Sequence, residues 1–175
     1  MRFCLTGGIA CGKSLLSRYL NELGIETLDA DDVVHALLPA DERQRLAKTV
    51  FKDPAARKAL EVRLHPLVKE RLQAFLKEPV TAGSWARLVI IPLLFEVRWE
   101  GEFDIICCVE SSRENQLLRL MTTRGLSREE AEDRLAAQLP VAEKAAKSHY
   151  VIHNDGSTDD LKAQARAFVD WLKTK

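Results

Sequence analysis

Gly7-Gly8-Ile9-Ala10-Cys11-Gly12-Lys13-Ser14 fits the G-x-x-x-x-G-K-[ST] phosphate-loop pattern without a mismatch. Its flanks fit as well. Arg2 to Leu5 reads as a short, mostly apolar strand and Ser14 to Leu23 as a helix. A glycine loop between strand and helix turns successive backbone N–H groups toward one point, where phosphate oxygens can be held. Gly7 and Gly12 permit conformations and close approaches that a Cβ would hinder. Lys13 can then reach the β- and γ-phosphates, and the Ser14 hydroxyl can ligate Mg²⁺. The other reading, a glycine-rich turn that binds nothing, is disfavoured by a full motif in its full context. The stretch is expected to bind a nucleoside triphosphate.

The rest of the composition narrows the class. A chain of 175 residues suits one α/β domain with a small inserted subdomain. Lys+Arg and Asp+Glu number 26 each, so no global field favours nucleic acid or an acidic membrane surface. The most apolar run, Leu88 to Phe95, is too short to span a bilayer. The first strand is expected so close to Met1 that a signal peptide has no room. Cys4, Cys11, Cys107 and Cys108 lack metal or redox spacing and read as reduced thiols of a cytoplasmic protein.

Downstream, short apolar strands alternate with helices. Ile25 to Leu28 is a second strand, and Asp29-Ala30-Asp31-Asp32 opens the helix that follows it. Aspartate there can be a plain N-cap. Near a phosphate loop, one of these carboxylates is expected to be catalytic. From Asp41 to Glu78 the sequence is almost continuous helix-former, with Pro54 in a first turn and a kink or restart expected at Pro66. Arg87 to Ile91 and Phe103 to Val109 are buried strands, the first leaving through Pro92-Leu93-Leu94-Phe95-Glu96. A metal-supporting Asp often ends such a strand, but Ile90 and Ile91 stand here. A helix from Ser112 to Arg124, closed by Gly125, is followed by an S-x-x-E capping box at Ser127 to Glu130. Arg119, Arg124, Arg128 and Arg134 bracket this hairpin and could form a lid that neutralises charge on a triphosphate. Tyr150 to Ile152 is the last strand and Thr158 to Leu172 the final helix. The alternation predicts an α/β fold with a five-stranded parallel sheet flanked by helices on both faces.

Several of these pieces together resemble the dephospho-coenzyme A kinase family. They are Leu5-Thr6-Gly7-Gly8-Ile9, Asp29-Ala30-Asp31, Leu64-His65-Pro66, Pro92-Leu93-Leu94-Phe95-Glu96, Gln116-Leu117-Leu118-Arg119-Leu120 and Gln138. The closing Val151-Ile152-His153-Asn154-Asp155-Gly156-Ser157 also resembles that family's last turn. The likeness runs in order from residue 2 to about residue 170. It implies a P-loop kinase fold with core 1–38, 86–111 and 139–175, a helical acceptor-binding insertion at 39–80 and a helical lid at 119–138. It further implies transfer of the ATP γ-phosphate to the ribose 3′-hydroxyl of dephospho-CoA. By match to the family's positions, Gly8 and Ala10, Cys11, Gly12, Lys13, Ser14 and Leu15 bind ATP, with Ser14 on Mg²⁺. Asn154 and Gly156 lie beside the adenine. Asp31 is the base, and Lys13 and Arg119 stabilise charge. Thr6, Arg43, His65, Leu93, Leu94 and Glu96 surround the acceptor.

The chain departs from the family's pattern at four places. A sizeable stretch between Leu38 and Asp41 is missing, and Arg43 aligns with an arginine just after it. His153 replaces an Asp, Cys11 a Ser, and Ile90 an Asp. The residues by themselves leave two other functions open. One is a small kinase acting on a nucleoside monophosphate or another hydroxylated metabolite. The other is a nucleotide-binding module without transfer activity. A GTPase switch is disfavoured because no N-K-x-D motif occurs.

Overall fold

The computed structural model describes residues 1–38 and 53–175. The strands are β1 (Phe3–Gly7), β2 (Ile25–Asp29), β3 (Ala86–Ile90), β4 (Ile105–Glu110) and β5 (Tyr150–His153). The helices are α1 (Lys13–Glu22), α2 (Ala30–Leu37), α3 (Pro54–Lys77), α4 (Arg113–Arg124), α5 (Arg128–Ala136), α6 (Val141–Ala146) and α7 (Thr158–Leu172). The expected five-stranded parallel sheet forms, in the order β2-β3-β1-β4-β5. Registers such as Leu5 opposite Ile90 and Cys107 fix β1 at its centre. Two compact units are present, Met1–Thr27 with Val80–Lys175, and Leu28–Pro79.

Strand alternation builds the larger unit. On one face Phe3, Leu5, Leu88, Ile90, Cys107 and Val109 pack with Leu16 and Leu20 of α1 and Leu161, Phe168 and Leu172 of α7. Tyr150, Phe168 and Trp171 add tilted and stacked ring contacts at 4.9–6.1 Å. The alternate residues of β1 and β4, Cys4, Thr6, Ile106 and Cys108, are also buried. They point to the other face, since successive strand side chains alternate, and there α6 packs on β1 and β4. The loop after β1 therefore leads to α1 on one face. The chain leaving β4 ends at α6 on the other. Adjacent strands whose connections diverge in this way open a crevice at their carboxyl ends, the usual ligand position in open α/β sheets.

In the smaller unit α2 packs on α3. Leu64, Val68 and Leu72, four residues apart, form the buried stripe of α3. That stripe spans Pro66, and α3 runs through the proline without restarting. Pro66 removes one backbone donor, but packing on both sides of it keeps the helical turns together.

Candidate active site

The phosphate loop adopts conformations that its sequence permits and few others would. Gly12 caps α1 at φ +94°, and a Cβ there would collide with the Asn154 side-chain amide. Gly7 has φ +146°, and a Cβ would strike the Val109 carbonyl. Ala10 sits at φ +58°, a left-handed position uncommon for alanine, and strain of this kind gathers at functional loops.

Neighbouring elements hold the loop by its backbone. The Ile9 peptide is gripped on both sides: its N–H donates to Gln138 Oε1 at 3.0 Å, and its carbonyl accepts from Gln116 Nε2 at 2.7 Å. The Ala10 carbonyl accepts from Arg119 at 3.2 Å, and the Cys11 carbonyl from Asn154 Nδ2 at 2.8 Å. With these carbonyls turned outward and paired, Gly12, Lys13 and Ser14 open α1, where helix N–H groups have no intrahelical partner and attract anions. Lys13 Nζ donates to the Gly7 and Gly8 carbonyls at 3.1 and 2.8 Å, which keeps the ammonium over the loop. Cys11 is enclosed, and burial pushes its thiol pKa up, so it contributes backbone rather than a reactive sulfur. Leu15 is half-buried behind the loop.

Arg119 reaches beyond its own hairpin. Its guanidinium joins the Ala10 carbonyl, Ser111 Oγ at 3.2 Å and the Asn154 carbonyl at 2.6 Å, using its planar fork to tie three loops. The β5–α7 turn is fastened again by Asp155. This carboxylate accepts from Ser111 Oγ, from the Ser112 N–H at 2.9 Å and from Asn115 Nδ2 at 2.8 Å. Partial desolvation pushes the Asp155 pKa up, but these donors together outweigh it and hold the group at about 2. His153 pairs with Glu110 at 2.7 Å. A cavity of about 600 Å³ lies between Gly8, the first turn of α4 and the 135–142 segment.

The hairpin of α4 and α5 closes around Leu117, Leu120 and Ala131, with Ile9 and Ala10 of the loop packed against them. Its ends form as the sequence predicts. Gly125 is left-handed, and Ser127 and Glu130 complete the capping box. Arg128 pairs with Glu132 at 3.1 Å, while Arg124 and Arg134 are exposed.

Beyond β3, the Pro92 carbonyl accepts from the buried Thr6 hydroxyl of β1 at 3.4 Å. Leu93 is half-buried. Leu94 is fully enclosed, so its side chain presents no surface. Glu96 accepts from the Leu139 N–H at 3.1 Å and meets Lys144 at 2.7 Å. Gly156 precedes Ser157, whose capping box with Asp160 starts α7.

In the smaller unit, Asp29 caps α2 by accepting the Asp31 N–H at 2.9 Å. Capping therefore occupies Asp29, and the Asp31 carboxylate stays exposed. His65 is half-buried on α3, and Arg43 lies outside the described residues. Ile90 and Ile91 are buried, with the Ile91 N–H bonded to the Leu5 carbonyl, so this strand end carries no carboxylate for a metal. Ser14, exposed in the first turn of α1, suits Mg²⁺ held mostly by phosphates and water.

Four contributors escape a reading by motif. Gln116 and Gln138 occur in the family-like stretches, but nothing in them signals that both grip one peptide. Asp155 looks like turn chemistry. Lys144 looks like the solvent face of a helix, yet it is fully buried.

The sequence profile of the dephospho-CoA kinase family matches residues 1–43 and 40–160. The two matched spans meet at residues 40–43. Dephospho-CoA kinase of Geobacter sulfurreducens is 37% identical, covering 97% of this chain and 96% of its own. That of Symbiobacterium thermophilum is also 37% identical, covering 93% and 77%. The solved dephospho-CoA kinase from Campylobacter jejuni superposes with a TM-score of 0.71 at 28% identity, covering 98% of this chain and 96% of its own. On these matches along nearly its whole length, the chain belongs to the dephospho-CoA kinase family.

Proposed function

We propose that this chain is a dephospho-CoA kinase that transfers the γ-phosphate of ATP to the ribose 3′-hydroxyl of dephospho-CoA, giving CoA and ADP. The observation that carries the reading is the family match along nearly the whole chain, with its phosphate loop intact. In the reaction the 3′-oxygen bonds to the γ-phosphorus, the bond to the β–γ bridging oxygen breaks, and the hydroxyl proton passes to a base. Little covalent chemistry falls to the protein, so positioning and charge stabilisation carry the rate.

Each role follows a residue. Lys13 and the N–H groups opening α1 hold the transferring phosphate, with Gly8, Ala10, Cys11, Gly12 and Leu15 shaping the loop. Arg119 fixes that loop against Asn154 and Gly156, whose turn borders the adenine. Ser14, together with the phosphates, would hold Mg²⁺, which would supply neutralisation of phosphate charge. Asp31 accepts the 3′-hydroxyl proton. Its support is that Asp29 already performs the capping, which leaves the Asp31 carboxylate uncommitted. Thr6, Arg43, His65, Leu93, Leu94 and Glu96 shape the acceptor site, and the α4–α5 hairpin is the lid. A cytoplasmic setting without nucleic-acid partners is supported by four free, buried cysteines and by zero formal net charge.

Product identity tests the reading. Incubation with Mg-ATP and dephospho-CoA should give a product that comigrates with CoA and reverts to dephospho-CoA on treatment with a 3′-nucleotidase. A phosphorylated product resistant to that enzyme would contradict it.

A further inference from the structure

We propose that Lys144 is a positioning residue that sets the 92–96 turn for the acceptor. Its side chain is 0% exposed. An ammonium costs much to bury unless it is paired and hydrogen-bonded. Both of its polar contacts fall in one turn: the Pro92 carbonyl at 2.9 Å and Glu96 Oε1 at 2.7 Å. Thr6 donates to the same Pro92 carbonyl. Glu96 Oε1 also takes the Leu139 N–H, while Glu96 Oε2 is buried with no hydrogen-bond partner among the described residues. The negative end of this pair is thus held in place by Lys144 and one backbone donor. A methionine would fill the same space on α6 without burying a charge. A cation here is useful for what it fixes, namely where Pro92 to Glu96 lie.

The neighbouring bonds give that position a second consequence. Gln138, Leu139 and Lys144 lie in one short segment. The first holds Ile9 of the phosphate loop, and the other two hold the 92–96 turn. The segment through which the chain leaves the lid therefore spaces the phosphate loop from the turn. The proposal rests on the reading that this turn borders the acceptor.

The test is steady-state kinetics of Lys144→Met with both substrates varied, beside Leu93→Ala and the wild type. Lys144→Met should raise KM for dephospho-CoA about tenfold or more and leave KM for ATP within about twofold. The nucleotide Kd, read by calorimetry, should be unchanged. A uniform loss of active enzyme with both KM values intact would mean that Lys144 only supports the fold, and would overturn the proposal. If Lys144→Met does not fold, the double variant Glu96→Gln/Lys144→Met, which leaves no unpaired buried charge, carries the same expectation. Failure of both to fold would also overturn it. Leu93→Ala separates the two levels. If it leaves the acceptor KM unchanged, the turn does not border the acceptor and the underlying reading falls. If it raises that KM and Lys144→Met does not, only the positioning role falls.

Discussion

On the proposed reading Lys13 holds the transferring phosphate and Asp31 is the base, so their replacement should separate binding from chemistry. If Lys13 stabilises the transferring phosphate as proposed, Lys13→Met should lower kcat by about 10²–10³. Asp31→Asn should keep nucleotide affinity, measured by calorimetry, while kcat drops by about 10²–10⁴. Normal turnover by Asp31→Asn would remove it as the base. Asp155 answers to pH. Its folded pKa of about 2 lies below the ordinary 3.8. A depressed carboxylate contributes stability above its unfolded pKa and loses it as pH falls through the folded value. Melting temperature should therefore decline between about pH 4 and pH 2 through this group, a step that Asp155→Asn should shrink. The position of Lys13 over the loop was legible because motif spacing fixes it. Asp155 was not, because its donors Ser111, Ser112 and Asn115 lie about 40 positions away in sequence.

Among the elements, those with chemistry written at their ends were the most readable. Gly125 after α4, the Ser127–Glu130 box and the span of α7 all follow from local rules. Ser157→Ala should cost about 1 kcal/mol in denaturant unfolding, since it removes the cap of α7. Gly7→Ala should cost more than about 2 kcal/mol, combining a positive φ with a backbone carbonyl that cannot retreat. The helix continues through Pro66 instead of restarting there, for a physical reason. Local propensity argues for a break there, but Leu64, Val68 and Leu72 pack along one side of α3 and override it. Strand ends shifted by one or two residues, as at β1, where pairing with β4 carries the strand on to Gly7.

At the scale of the molecule, the strand order turns the loop after β1 and the chain after β4 to opposite faces, which opens the crevice where the phosphate loop lies. Alternating strands and helices made the sheet legible. They could not disclose the braces on the loop, because Gln116, Arg119, Gln138 and Asn154 reach Ile9, Ala10 and Cys11 from more than 100 residues away. Nor does the chain's own pattern mark Lys144 as buried, since one lysine on a six-residue helix reads as surface. The most direct test of the whole account is ADP release from Mg-ATP by the purified protein with dephospho-CoA, AMP, shikimate, gluconate or no acceptor. Turnover with dephospho-CoA alone, yielding CoA, is the predicted result. Turnover with another acceptor instead, or ATP binding without turnover on any of them, would contradict it.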